Sequence, residues 1–139
     1  MHKKEQTELI AVIADFLEMG HVENIMAMFK QDTSLYALSG ELLRDERFMV
    51  RMGMAVLFEE LKQIREQEVA LAIPALLPIL AEETPWMRGE AVNLLGIIGT
   101  PEALAYIKPL ADDPEPQIRE MVRDILAEQG ARCKAKGER

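Results

Sequence analysis

Residues 73–127 hold one unit written twice. The first copy, IPALLPILAEETPWMRGEAVNLLG, starts at Ile73, and the second, ALAYIKPLADDPEPQIREMVRDILA, starts at Ala103. Each copy has an apolar helical segment, a short acidic turn with proline, an arginine, and a second apolar helical segment. A lone hairpin of this kind cannot cover its own apolar stripe, so the copies must lean on one another. This repetition restricts the chain to a row of stacked helical hairpins.

Anchored on Arg88 and Arg119, the copies agree position by position. Six residues earlier stand Glu82 and Asp113; three earlier, Pro85 and Pro116; one earlier, Met87 and Ile118. Three, six and seven residues later stand Ala91, Leu94 and Leu95 in one copy and Val122, Ile125 and Leu126 in the other. A degenerate third copy anchors on Arg51, with Asp45 six before it, Phe48 at the proline position, and Met54, Leu57 and Phe58 after it. Each position has a physical reason. The later residues form an i, i+3, i+4 stripe. The proline sets the entry to the second helix. The carboxylate is suited to capping that helix and complementing its dipole. The planar fork of the arginine suits a carboxylate of its own unit or the next. The expected ladder is therefore Asp45, Arg51, Glu82, Arg88, Asp113 and Arg119.

An acidic turn followed by Pro-x-x-Arg between two apolar helices, as in LAEETPWMRGEAVNLLGIIG and LADDPEPQIREMVRDILAE, resembles the HEAT-like repeats of the phycobilisome-lyase type. The resemblance is close over 73–129, looser over 35–65, and faint before that. It implies an all-α superhelix: a short solenoid of stacked antiparallel helix pairs, about eight helices in all. First helices would lie on the convex side and second helices on the concave side. It also implies two narrower functions, a lyase-like or maturation factor handling a prosthetic group or its carrier protein, and DNA binding of the HEAT-like glycosylase kind. Related HEAT-like di-iron hydroxylases carry His-Glu pairs, and this chain has none.

Along the chain, residues 5–18 carry a broad apolar helical stripe that Gly20 should end, and 22–30 form a short second helix. Asp32, Thr33 and Ser34 are cap types opening a helix over about 34–43. A long helical pattern from Phe48 should break near 66–68. Pro74 and Pro78 predict a bent or divided helix over 69–82. Thr84-Pro85 offers a cap and first-turn proline for a helix over 85–98, closed by Gly99. Thr100-Pro101 opens another, ending at Ala111, and a last helix over 116–129 should stop at Gly130. The domain reading is one unit, 1–130, with capping helices at 1–33, repeats at 34–66, 67–99 and 100–130, and a flexible basic tail at 131–139.

Composition narrows the function. The formal net charge is -8, and an acidic surface repels nucleic-acid phosphates and anionic lipid heads. No nucleic acid and no membrane are expected as partners. The longest apolar run, 69–81, is too short to span a bilayer. Cys133 is the only cysteine, so no internal disulfide forms, which fits a reducing cytoplasmic compartment. With only His2 and His21, no metal or other cofactor is expected. No nucleophile elbow surrounds Ser34 or Ser39, and Gly96–Gly99 reads as a helix contact and C-cap, not a phosphate loop. A non-enzymatic chain is the expectation.

What is left is a surface. Positions one, two and five after each arginine should line the concave face, giving Met52, Gly53 and Val56, then Gly89, Glu90 and Asn93, then Glu120, Met121 and Asp124. Trp86 is read either as an anchor for a partner or as a residue closing its turn. The candidate binding residues are Met52, Trp86, Arg88, Glu90, Asn93, Glu120, Arg123 and Asp124. The first half of the chain is rich in Met and Phe. Such side chains either fill an irregular core or adapt to an apolar partner, with a homodimer through that half as one form. The expected function is a scaffold or adaptor that binds a protein partner through the concave face.

Overall fold

Prolines and glycines punctuate this chain, and their positions decide where each helix starts and stops. A computed structural model describes residues 3–137, with side chains for 3–130. Helix α1 (Lys3–Glu18) ends at Gly20, whose φ of 86° suits a residue with no Cβ. Helix α2 (Val22–Gln31) follows. Asp32 then caps a 3-10 turn over Thr33–Leu38, its side chain accepting from the Ser34 N–H at 3.1 Å, and α3 (Ser39–Leu43) continues from it. Helix α4 (Phe48–Ile64) ends just before the expected break. The stretch after it is divided as its prolines require. A 3-10 turn over Val69–Ala72, α5 (Ile73–Leu76) and a second 3-10 turn over Leu77–Ala81 run end to end, because Pro78 has no N–H to continue an α ladder.

Helix α6 (Pro85–Ile98) begins on its proline and ends at Gly99, which is left-handed at φ 67°. Thr84 holds the N-cap backbone conformation, yet its side chain caps nothing. Thr100 does cap, accepting from the Ala103 N–H at 3.1 Å. The helix expected to reach Ala111 stops sooner. Helix α7 (Pro101–Ile107) passes into a 3-10 turn over Lys108–Asp112, because Pro109 removes a donor there as Pro78 does one unit earlier. Helix α8 (Pro116–Gly137) does not stop at Gly130. A helix-interior glycine costs only about 1 kcal/mol, and the Ala, Arg and Lys residues beyond it are strong helix formers. The backbone of 131–137 is therefore helical where a tail was expected. His2 lies outside the described residues, as does the side chain of Cys133. No strand occurs among the described residues.

The eight helices described form two layers. α4 packs beside α6 and α6 beside α8, while α3, α5, α7 and their 3-10 extensions back onto this row from one side. Neighbours in the α4–α6–α8 row stay in contact throughout, but α7 makes no comparable contact with α5. α1 takes the next place in the row, beside α4, and α2 closes the end by packing on α1, α4 and Thr33–Leu38. The N-terminal helices thus extend the row with α1 and cap it with α2.

Two glycines let the row close up. A Cβ on Gly53 would lie 3.0 Å from Leu17 Cβ on α1, and one on Gly96 would lie 2.8 Å from Ile125 Cδ1 on α8. The anchored stripes do the packing. Met54, Leu57 and Phe58 are fully buried, as are Ala91, Leu94 and Leu95 to within a percent. In the last unit Val122 is buried, but Ile125 and Leu126 are only half covered, since no further hairpin packs on them.

Candidate functional site

The three arginines tie down their own turns in the same way, and two of them bridge to the next unit. Nη1 of Arg51 donates to the carbonyls of Asp45 and Glu46, both at 2.9 Å. Nη1 of Arg88 donates to Glu82 and Glu83 at 2.8 and 2.9 Å. Nη1 of Arg119 donates to Asp113 and Pro114 at 2.8 and 3.2 Å. One nitrogen thus ties down the two carbonyls of its own turn, six and five residues back. In Arg51 and Arg88 the rest of the fork reaches into the next unit. Arg88 grips Asp113 with both Nε and Nη2 at 2.9 Å. Arg51 reaches Glu90 from Nε at 3.0 Å. The Arg88 hydrogen bond holds the Asp113 carboxyl below the usual carboxylate range, against the opposing effect of burial.

Repeat equivalence would have sent Arg51 to Glu82, which stands six before Arg88 as Asp113 stands six before Arg119. The structure gives Glu82 to Arg44 instead. Glu82 therefore caps no helix. Asp45 is turned inward as well, chelated by Nε and Nη2 of Arg47, whose hydrogen bonds lower its pKa. Arg47 also reaches Asp15 and Glu18 on α1, tying the cap to the first repeat. Sequence reasoning missed Arg44 and Arg47, although the RDER run at 44–47 was the available sign. Lys62, near the end of α4, donates to the Ile98 carbonyl that ends α6, a further tie between units.

The candidate binding residues divide by place. The guanidinium of Arg88 is occupied within the ladder. Gly53 is buried where α4 closes on Leu17 of α1, while Gly89, though buried, lines the hollow between α4, α6 and α8, with nothing nearer than 4.0 Å to where its Cβ would stand. Met52 and Val56 are exposed on α4, joined by Phe48 and Met49; Phe48 is 58 % and Met52 45 % accessible. Trp86 is half buried under Arg51, whose guanidinium carbon sits 4.1 Å from the ring centroid. Glu90 and Asn93 are half buried on α6, while Glu120, Arg123 and Asp124 are exposed on α8. The Met and Phe residues of the first half split between the two roles. Met54, Phe29 and Phe58 are core, and Met19, Met49, Met52 and Phe48 face outward.

A groove of about 490 Å³ opens where α4, α6 and α8 meet, lined by Phe48, Arg51, Trp86, Glu90, Ile118 and Met121 among others. A second hollow of about 330 Å³ continues it along the α6–α8 seam, sharing Gln117 and Met121 and bordered by Asn93, Glu120 and Asp124. The face is therefore apolar at α4, mixed at α6 and acidic at α8. Among the described residues no group of three or more His, Cys, Asp or Glu side chains could hold a metal ion. No helix among them is long and apolar enough to cross a membrane.

A family model described as HEAT repeats matches residues 35–127. Comparison with curated proteins and with solved structures finds no match.

Proposed function

We propose that this chain, which belongs to the HEAT-repeat family, is a non-enzymatic scaffold that binds a protein partner across the α4–α6–α8 face. The observation that carries the reading is the exposed cluster of Phe48, Met49, Met52 and Val56 on one helix, bordering a groove. Scattered apolar residues on a surface need no explanation, but a contiguous set beside a concavity marks a contact site. The ladder supports the reading in another way. It consumes the arginines and turn carboxylates internally, so the face is held rigid and little ordering entropy opposes binding.

The narrower likeness to phycobilisome-lyase-type repeats would make the cargo a prosthetic group or its carrier protein. The groove lends that alternative no support, since its single arginine, Arg51, is committed to Glu90, Asp45 and Glu46. The test compares the wild-type chain with Phe48→Asp/Met52→Asp as bait in a native lysate. The wild type should retain a stoichiometric protein that the variant, of unchanged ellipticity, releases. Equal recovery by both baits, or no stoichiometric protein on either, refutes the reading.

A further inference from the structure

The three arginines set equivalent positions in register, so the face can be read column by column. One residue after each arginine stand Met52, Gly89 and Glu120, and five after stand Val56, Asn93 and Asp124. Both columns run from apolar on α4, through small or polar on α6, to acidic on α8. The column two places after each arginine, Gly53, Glu90 and Met121, does not share this gradient, and the groove's α8 wall carries Ile118 and Met121 beside its carboxylates. The groove's carboxylates are Glu90, which is paired with Arg51, and Glu115, then Glu120, Asp124 and Glu128 along the continuation, while Arg51 is its one cation among the described residues and Arg123 does not line it.

We infer that the groove receives a basic amphipathic helix of a partner protein, with bulky apolar side chains over α4 and Lys or Arg over α8. The inference rests on the scaffold reading and adds the chemistry of the partner. Charge complementarity selects it. A chain of net charge -8 with a carboxylate-lined groove favours a cationic segment. A second copy of this chain brings the same net excess of acid, which makes it the less favoured occupant. The occupant must also satisfy its own backbone, because an all-α face offers no strand edge to extend; a helix does so internally. Packed helices lie about 8–10 Å apart, so α4 and α8 are separated by roughly 16–20 Å. At 1.5 Å per residue the apolar and basic ends of the partner helix stand about 11–13 residues apart.

The test selects from a display library of helical peptides with one randomised face, using the immobilised full chain. Wild type should enrich Phe, Leu or Met at one end and Lys or Arg about three turns away. Glu120→Lys/Asp124→Lys should switch the second preference to Asp or Glu. It should also weaken the selected wild-type peptide roughly tenfold, with the loss shrinking as salt is raised. Where a reversal fails to fold, Met52→Ala and Glu120→Gln/Asp124→Asn probe the same two contacts in smaller steps. Apolar enrichment with no charge preference overturns the basic helix and leaves the scaffold standing. A concentration-dependent dimer, seen by light scattering and abolished by Phe48→Asp/Met52→Asp, gives the face to a second copy and also overturns it. No enrichment of wild type over Phe48→Asp/Met52→Asp removes the face itself, and the scaffold reading with it.

Discussion

Replacing Arg88 by Met keeps the apolar stem and deletes the fork. Four hydrogen bonds go with it, two to Asp113 and two to the carbonyls of Glu82 and Glu83. The side chains of Arg88 and Asp113 are only 13 % and 5 % exposed, so this is closer to a buried pair than to a surface one. Breaking such a pair from one side costs about 3–5 kcal/mol, because the other charge stays behind without its partner. Asp113 keeps the Glu115 N–H at 2.9 Å, which places the expected loss at the lower end, about 3 kcal/mol. Asp113→Asn in the same chain removes the stranded charge, so the double variant should recover part of the loss, with a coupling of about 2 kcal/mol. Acidity supplies an independent check. The Asp113 carboxyl is held below its usual value of 3.8 in the folded chain. Its contribution is thus fully present above that value and fades as pH falls toward the folded-state pKa. Urea unfolding followed at 222 nm should show the full gap between wild type and Arg88→Met at pH 7 and a narrower gap near pH 3. A coupling under about 0.5 kcal/mol, or a gap that does not change with pH, refutes the claim that this pair locks α6 to the last repeat.

Two glycines should respond oppositely to alanine. A Cβ on Gly40 would sit 2.3 Å from the Ala75 carbonyl oxygen, forcing α3 away from α5, whereas one on Gly130 meets nothing within 4 Å. Gly40→Ala should lose roughly 2–3 kcal/mol and lower Tm by roughly 7–10 °C, while Gly130→Ala gains about 0.5–1 kcal/mol. Thermal melts with shifts of the same sign would contradict the packing. Tyr36 gives a third prediction. It is fully buried between Phe29 and Phe58, and burial first, then Glu68, pushes its phenol up to about 12. The folded chain therefore holds a proton that the unfolded chain releases near pH 10, so stability falls as pH rises from about 10 to about 12. Tyr36→Phe should remove that alkaline loss and, since the hydroxyl finds no partner among the described residues, change stability at pH 7 by less than about 1 kcal/mol. An unchanged alkaline profile would place the sensitivity elsewhere.

The second helices were legible because their chemistry is local and repeated. Met54, Leu57 and Phe58 need walls on two sides, as do Ala91, Leu94 and Leu95, and only a neighbouring hairpin provides them. The arginine bonds to carbonyls six and five residues back were not legible, since the sequence shows only that a guanidinium fork suits a carboxylate. The first helices were harder to read. Pro78 announces its 3-10 turn through a missing donor, but the equivalent Pro109 sat inside a helix expected to reach Ala111, and Thr33–Leu38 winds as a 3-10 turn with no proline at all. The cross-repeat pairing was least legible. Arg51 has Glu82 and Glu90 at similar sequence distance, and the outcome turns on Arg44 having taken Glu82, a competition between pairs that differ by less than about 1 kcal/mol. That same competition explains why the face could still be read. The ladder uses different carboxylates in different units, Glu90 for Arg51 and Asp113 for Arg88, while each arginine fixes its own turn in the same way. The residues one and five places further on are therefore presented at constant register whichever acid closes the bridge. A sequence can then rewrite Met52, Gly89 and Glu120 one helix at a time, and it is this independence of surface from scaffold that lets the columns carry an apolar-to-acidic gradient.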